Sequence, residues 1–406
     1  MKAPAVIPAL FVVLLLSGAD WPQFLGPSRN GISAETGLRT TWPSAGPPLV
    51  WQRAVGAGFS GPVVVGERLV LFHRVGDEEV VECLHALNGQ PLWKFSYPTA
   101  YVDDFGFDPG PRATPTVTGD RVVTLGAEGR LHCLDLTTGR KRWDRDLAKE
   151  YQPPKGFFGV GTSPLVERGR VFVNVGAKGA GVVAWDLETG RELWRATDQE
   201  ASYSSPTVAT IHGIRHVIFF TRSGILSLDP ETGAERFSKR WRARINASVN
   251  AATPLVIGDL LFVSASYHTG AIVHRIRVDG IEEIWKGDGI LSNHYNTSIH
   301  RDGFLYGIDG RQEGGAAQLR CVELATGKVR WTKERFSCAS MILAAGHLYA
   351  LNDLGELVVV EASPEAYREK ARAAVLTAPC RAEIALANGR LYARDPKRLI
   401  CLDLRQ

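Results

Sequence analysis

The residues best suited to chemistry cluster in one stretch, Pro98 to Arg112, which carries Asp103, Asp104, Asp108 and Arg112 with Tyr101, Phe105 and Phe107 between them. Carboxylates beside an arginine, set among aromatic rings, can hold a planar acidic ligand or a calcium ion. A second stretch, Lys149 to Gly161, adds Lys155, Phe157 and Phe158. The plainer reading of Asp103 and Asp104 is a pair of solvated loop charges. Other chemistries find less support. Gly56-Ala57-Gly58-Phe59-Ser60-Gly61 has G-x-G-x-x-G spacing, but a strand follows it, not the helix whose N-terminus would receive a pyrophosphate. His212 and His216 have the i, i+4 spacing of a metal pair on a helix, yet Gly213 between them reads as a hairpin turn. The sequence has no Cys-x-x-Cys, no Gly-rich phosphate loop, and no Ser-His-Asp arrangement with motif support.

A repeat must position these side chains. Leu134-Asp135-Leu136-Thr137-Thr138-Gly139-Arg140-Lys141-Arg142-Trp143 reads as the end of one strand, a tight turn, and a new strand with a large aromatic to bury. The phrase returns at Asn88-Gly89 with Trp93, Thr189-Gly190 with Trp194, Thr232-Gly233 with Phe237, Asp279-Gly280 with Trp285 and Thr326-Gly327 with Trp331. Units open on segments such as Ala113-Thr114-Pro115, Thr162-Ser163-Pro164 and Ser204-Ser205-Pro206. Each holds about four short strands over roughly 40–50 residues, the size of a propeller blade. The seventh ends in a degenerate Glu361-Ala362-Ser363-Pro364-Glu365, and the eighth stops after three strands at Leu404. The strand around Trp51 is a fourth strand lacking the first three. Joining it to the eighth unit completes an eight-bladed, all-β propeller and removes the open edges that a solenoid would have to cap. The Trp-Asp pairs at Trp143 and Trp185 sit in different registers of the repeat, which argues against the WD40 pattern.

Loops leading into each innermost strand gather around one mouth of a propeller's channel, where ligand sites collect. The two chemistry-bearing stretches are such loops and are unusually long. Tyr203, Asn246, Asn250, His294, Tyr295, Asn296, Arg381 and Glu383 are further mouth candidates. The first 19 residues read as an export leader: Lys2, an apolar run from Ala5 to Leu16 too short to span a bilayer, then Ser17-Gly18-Ala19. No cysteine stands at that junction for lipid attachment, so the expected location is periplasmic or secreted, without a transmembrane segment after cleavage. Residues 20–47 read as an ordered arm laid on the surface, and 48–406 as the propeller. A net charge of +4 without a basic run excludes a nucleic-acid tract. Cys83, Cys133, Cys321 and Cys401 share one slot of the repeat, a small buried apolar position. Cys338 and Cys380 precede neighbouring first strands; a disulfide between them is open, at positions that adjacent blades hold far apart.

The Ser/Thr-Pro openings and the Leu-Asp-x-x-Thr-Gly-x-x-x-Trp endings, recurring in register from Trp51 to Leu404, resemble the pyrroloquinoline-quinone (PQQ) repeat family of eight-bladed propellers. Trp21-Pro22-Gln23-Phe24-Leu25-Gly26-Pro27 also resembles the leader of a group of exported PQQ-like propellers. That resemblance implies either a quinoprotein alcohol dehydrogenase, with quinone and calcium on the axis, or a noncatalytic scaffold of the BamB type. The chain departs from both. It has no adjacent cysteines to pack on a quinone and no evident carboxylate set for calcium, and it lacks the scaffold lipoproteins' lipid-modified cysteine. The expectation is therefore a noncatalytic binding propeller whose partner is another envelope protein or a small ligand at the mouth. No cofactor or metal is assigned. The alternative is a PQQ- and calcium-dependent alcohol or polyol dehydrogenase using Asp103, Asp104, Asp108, Arg112, Lys155, Tyr203, Asn246, His294, Tyr295 and Arg381.

Overall fold

The Thr-Gly phrase makes the turn its composition predicts, and its tryptophan serves the neighbouring blade. The structure is a computed structural model that describes residues 19–246, 248–312 and 316–406; the expected leader lies outside them apart from Ala19. Among the described residues, 32 strands form eight four-stranded antiparallel sheets, and a single five-residue helix spans Leu147–Tyr151. The first blade runs Val63–Val65, Arg68–Val75, Glu78–His85 and Pro91–Pro98, from the axis outward. Its second and third strands are buried along nearly their whole length because both faces are covered by neighbouring blades. In the eighth sheet, Leu49–Ala54 pairs antiparallel with Arg398–Asp403, placing Trp51 opposite Cys401. The two ends of the propeller sequence therefore close the ring, as the incomplete repeats predict.

At five seams the turn glycine sits beneath the tryptophan of the preceding blade. A Cβ on Gly139 would lie 2.5 Å from the Trp93 ring, and Gly89, Gly190, Gly233 and Gly327 meet Trp51, Trp143, Trp194 and Trp285 in the same way. Gly139 also has φ 70°. Glycine is required there twice, for the left-handed backbone and for the approach of the ring. The indole N–H then donates to the turn of the next blade, as from Trp93 to the Leu136 carbonyl at 2.8 Å and from Trp143 to Leu187 at 2.8 Å. Asp135 holds the turn by accepting from the backbone N–H groups of Thr137 and Thr138 and from the Thr138 hydroxyl. Cys83, Cys133, Cys321 and Cys401 lie directly across the strand pair from Trp93, Trp143, Trp331 and Trp51. A small side chain there leaves room for the indole. Cys338 and Cys380 are both buried, and no disulfide joins them to each other.

The N-terminal arm is ordered, and its first part runs against innermost strands of several blades. Trp21 bridges to Val64 of the first blade, the Val117 N–H of the second donates to the Pro22 carbonyl, and Ile32 bridges to Leu343 of the seventh. Arg29 donates to the carbonyls of Ser163 and Pro164 of the third blade at 3.1 and 3.0 Å. Burial lowers its guanidinium to about 9. Burying an arginine is tolerable there because backbone oxygens receive its fork. His212 lies with Gly213 in a hairpin turn between Thr207–Ile211 and Ile214–Phe220, and His216 is buried on the second of these strands against the Ser227 hydroxyl.

Candidate functional site

The loops leading into the innermost strands enclose a cavity of about 590 Å³ at the mouth. Phe59, Phe105, Phe107, Phe158, Tyr203 and Tyr295 supply its aromatic walls, and Phe24 of the arm lines it as well. Arg112 is packed among Phe59, Tyr101 and Phe158, with ring centres 5.4, 5.7 and 6.0 Å away. Its charge is met by Asp103 at 2.5 Å, a buried pair. Asp103 also accepts from the backbone N–H of Phe105 and of Asp108, which folds the long loop around the pair. Arg381 lies over Phe59 and Phe107 at 5.2 and 4.9 Å. Its buried Nε has no hydrogen-bond partner, and it forms no ion pair among the described residues.

Glu383, two residues on, is the carboxyl of the cavity itself. Burial raises it to about 7, opposed by a short hydrogen bond from the Ser340 hydroxyl. On the opposite wall, Tyr267 hydrogen-bonds His294 Nε2 at 3.0 Å, and Arg311 stacks on the Tyr267 ring at 4.2 Å. Tyr203 accepts at its hydroxyl from the Phe158 N–H at 2.8 Å, pinning the tip of the second long loop. Burial pushes the Tyr203 phenol up to about 12 and holds Tyr295 well above its usual range. Both are neutral phenols at physiological pH.

Of the residues singled out in the sequence, Arg112, Tyr203, His294, Tyr295, Arg381 and Glu383 meet at this cavity. Asp103 stands behind Arg112, and Asp108 caps the turn by accepting from the Gly110 N–H at 2.7 Å. Asp104 and Lys155 pair with each other at 2.7 Å in solvent, where they tie the two long loops together. Lys155 and Asn246 face a separate, more polar cavity of about 730 Å³ beneath the 152–160 loop, where Arg222 donates to the Asn246 carbonyl. Asn250 is structural: its amide bridges the Thr221 and Trp241 carbonyls. Asn296 is buried beside the cavity without lining it. Phe24, Tyr267 and Arg311 were not singled out. Arg311 follows Asp309-Gly310, which reads as a plain turn, and Tyr267 lies in a hairpin connection. Only the aromatic character of the arm signals Phe24.

The donor set does not fit a bound calcium ion. Among the described residues no group of three or more His, Cys, Asp or Glu side chains could hold a metal. Asp103 is committed to Arg112, and Glu383 stands alone. The aromatic walls with Arg112, Arg311 and Arg381 suit a flat acidic group.

Eight four-stranded blades around an axial, aromatic-walled cavity define a PQQ-repeat β-propeller. A sequence profile described as outer membrane protein assembly factor BamB matches residues 76–333, and the chain belongs to that family. The outer membrane protein assembly factor BamB of Moranella endobia is 24% identical over 269 residues, covering 61% of this chain and 64% of that protein. The match thus spans less than two thirds of that relative's own length. BamB from Moraxella catarrhalis has the same fold, with a TM-score of 0.64 at 15% identity over 88% of this chain and 98% of that one. So does quinohemoprotein alcohol dehydrogenase from Comamonas testosteroni, with a TM-score of 0.67 at 15% identity over 94% and 80%.

Proposed function

We propose that this chain is a noncatalytic binding protein of the cell envelope, periplasmic or secreted, that docks another envelope protein on the mouth face. One observation carries the reading. Phe105 is 54% exposed and Phe107 47%, next to Val102 at 70%, on a loop folded around a buried ion pair. Large exposed rings held on an ordered loop are what a protein interface uses as anchors. Membership of a family described by outer membrane protein assembly supports a partner from that machinery.

The test is a photoreactive phenylalanine analogue placed at Phe107 in the full chain, in cells. A control goes at Val278, 75% exposed on the opposite face. The expected result is an adduct from position 107 with an outer membrane assembly protein, and none from 278. Equal adducts from both positions, or a chain retained in the cytosol, would overturn the reading. The dehydrogenase alternative draws on the arginines and aromatic walls, and the missing calcium donors weigh against it. Incubation with PQQ and calcium separates the two, because the binding-protein reading expects neither a bound-quinone spectrum nor dye reduction with alcohols.

A further inference from the structure

The cavity beneath the aromatic rim has a chemistry more specific than a docking face requires. Phe24 of the arm lines it from one side, and Arg29 of the same arm is held by the Ser163 and Pro164 carbonyls. A volume of about 590 Å³ suits a small ligand or the tip of a chain, not a folded surface. Its electrostatics are asymmetric. Arg112 is neutralised by Asp103 at 2.5 Å, and Arg311 is engaged with Tyr267. Arg381 stacks between Phe59 and Phe107 and has no anionic partner among the described residues. A guanidinium stacked on rings keeps its in-plane N–H groups available, and that fork matches a carboxylate. The one carboxyl of the cavity, Glu383, is raised by burial to about 7 and hydrogen-bonded by Ser340, so much of it is protonated at neutral pH and competes weakly for Arg381.

We propose that the mouth cavity takes a single carboxylate carried on an apolar or aromatic group, as the C-terminal residue of a polypeptide presents it, with Arg381 receiving the carboxylate and the Phe59, Phe107 and Phe158 rings receiving the side chain. The inference rests on the mouth being the docking face and names what enters it. The same chemistry is available from a free aromatic acid, so the experiment separates the two sources.

Fluorescence anisotropy on the purified mature protein uses a labelled hexapeptide ending in phenylalanine, as the free acid and as the C-terminal amide. The acid should bind at least tenfold more tightly than the amide, and a glycine-terminated acid should be weaker than the phenylalanine acid. Arg381→Gln should bring the acid down to the level of the amide, while Arg381→Lys keeps part of the difference. The acid-to-amide ratio in the unaltered protein does not depend on any variant folding. If N-acetylphenylalanine displaces the peptide at the peptide's own affinity, the source is a small acid; if the peptide binds more tightly, it is a chain terminus. Equal binding of acid and amide, or an Arg381→Gln protein that still discriminates between them, overturns the proposal. Position 107 reads docking in cells without any peptide. A failure there with the acid still bound removes the docking reading and leaves the pocket chemistry standing.

Discussion

At the seam between the first and second blades, the Trp93 ring lies over Gly139 and its N–H meets the Leu136 carbonyl. At the mouth, Phe105 and Phe107 stand on a loop with about half their surface in solvent, and Arg381 stacks on a ring without an anion to meet it. Both regions are built from aromatic side chains and closely fitted backbone, but at the seam the indole N–H meets a carbonyl, whereas at the mouth the Arg381 Nε is buried without a partner. Large rings packed on glycine stabilise the ring closure, whereas large rings left in water cost stability unless something covers them. The difference separates the part of the chain that makes a propeller from the part that makes this propeller selective.

The sharpest way to break the comparison is at the seam. Gly139→Ala should destabilise the fold by about 2–4 kcal/mol, combining left-handed backbone strain with overlap on the Trp93 ring. Gly119, in the same blade, also has a positive φ but has nothing within 4 Å of its would-be Cβ. Gly119→Ala should therefore cost only about 1 kcal/mol. Urea denaturation of the two variants measures the difference, and equal losses would mean the ring contact contributes nothing. The next effect lies at the mouth and depends on pH. The folded protein holds the Glu383 proton up to about 7, above the ordinary carboxyl range, so this stabilisation is fully present below the unfolded value and is lost as pH rises through 7. Glu383→Gln removes that slope. Between pH 5 and 8 the unaltered protein should lose stability relative to the variant; parallel curves would show that the carboxyl is freely solvated. A smaller effect follows from Trp93→Phe, which keeps one aromatic ring but loses the donor to Leu136 and part of the indole packed on Gly139, for a loss of about 1–2 kcal/mol by the same denaturation. The fourth blade already carries Phe237 in this slot.

These two regions were not equally legible in the sequence. The seam repeats, so the turn glycine, the aspartate that caps it and the tryptophan four residues on are visible in register. The orphan strand at Trp51 could then be placed by counting. What the repeat did not show is that the tryptophan serves the next blade, because the phrase names its own turn and not its neighbour in space. The mouth is assembled from segments that occur once each. Arg112 and Arg381 were singled out by residue type on loops that lead into innermost strands. Tyr267 sits in a short connection within a blade, Arg311 follows an Asp-Gly pair that reads as a plain turn, and Asn250 is drawn into backbone bridging that no local pattern signals. Arg29 was invisible for a different reason: its partners are carbonyls 134 and 135 residues away. Such partners have no side-chain signature, so the arm's contacts with innermost strands could not be read from the sequence.

The smallest expected effect on stability is the most informative about function. Phe105→Ser with Phe107→Ser alters two half-exposed rings whose loop is held independently by Asp103, Arg112 and the Asp104–Lys155 bridge. The double variant should therefore unfold within about 0.5 kcal/mol of the unaltered protein. If the rings are anchors, the same change should weaken partner capture at least tenfold, as read by loss of the crosslinked species from a photoreactive group placed on the neighbouring Phe157. Such a split, with stability kept and capture lost, is the opposite of what Gly139→Ala should show. A double variant that loses stability while still capturing its partner would mean that the exposed rings belong to the scaffold, and the contrast between seam and mouth would collapse.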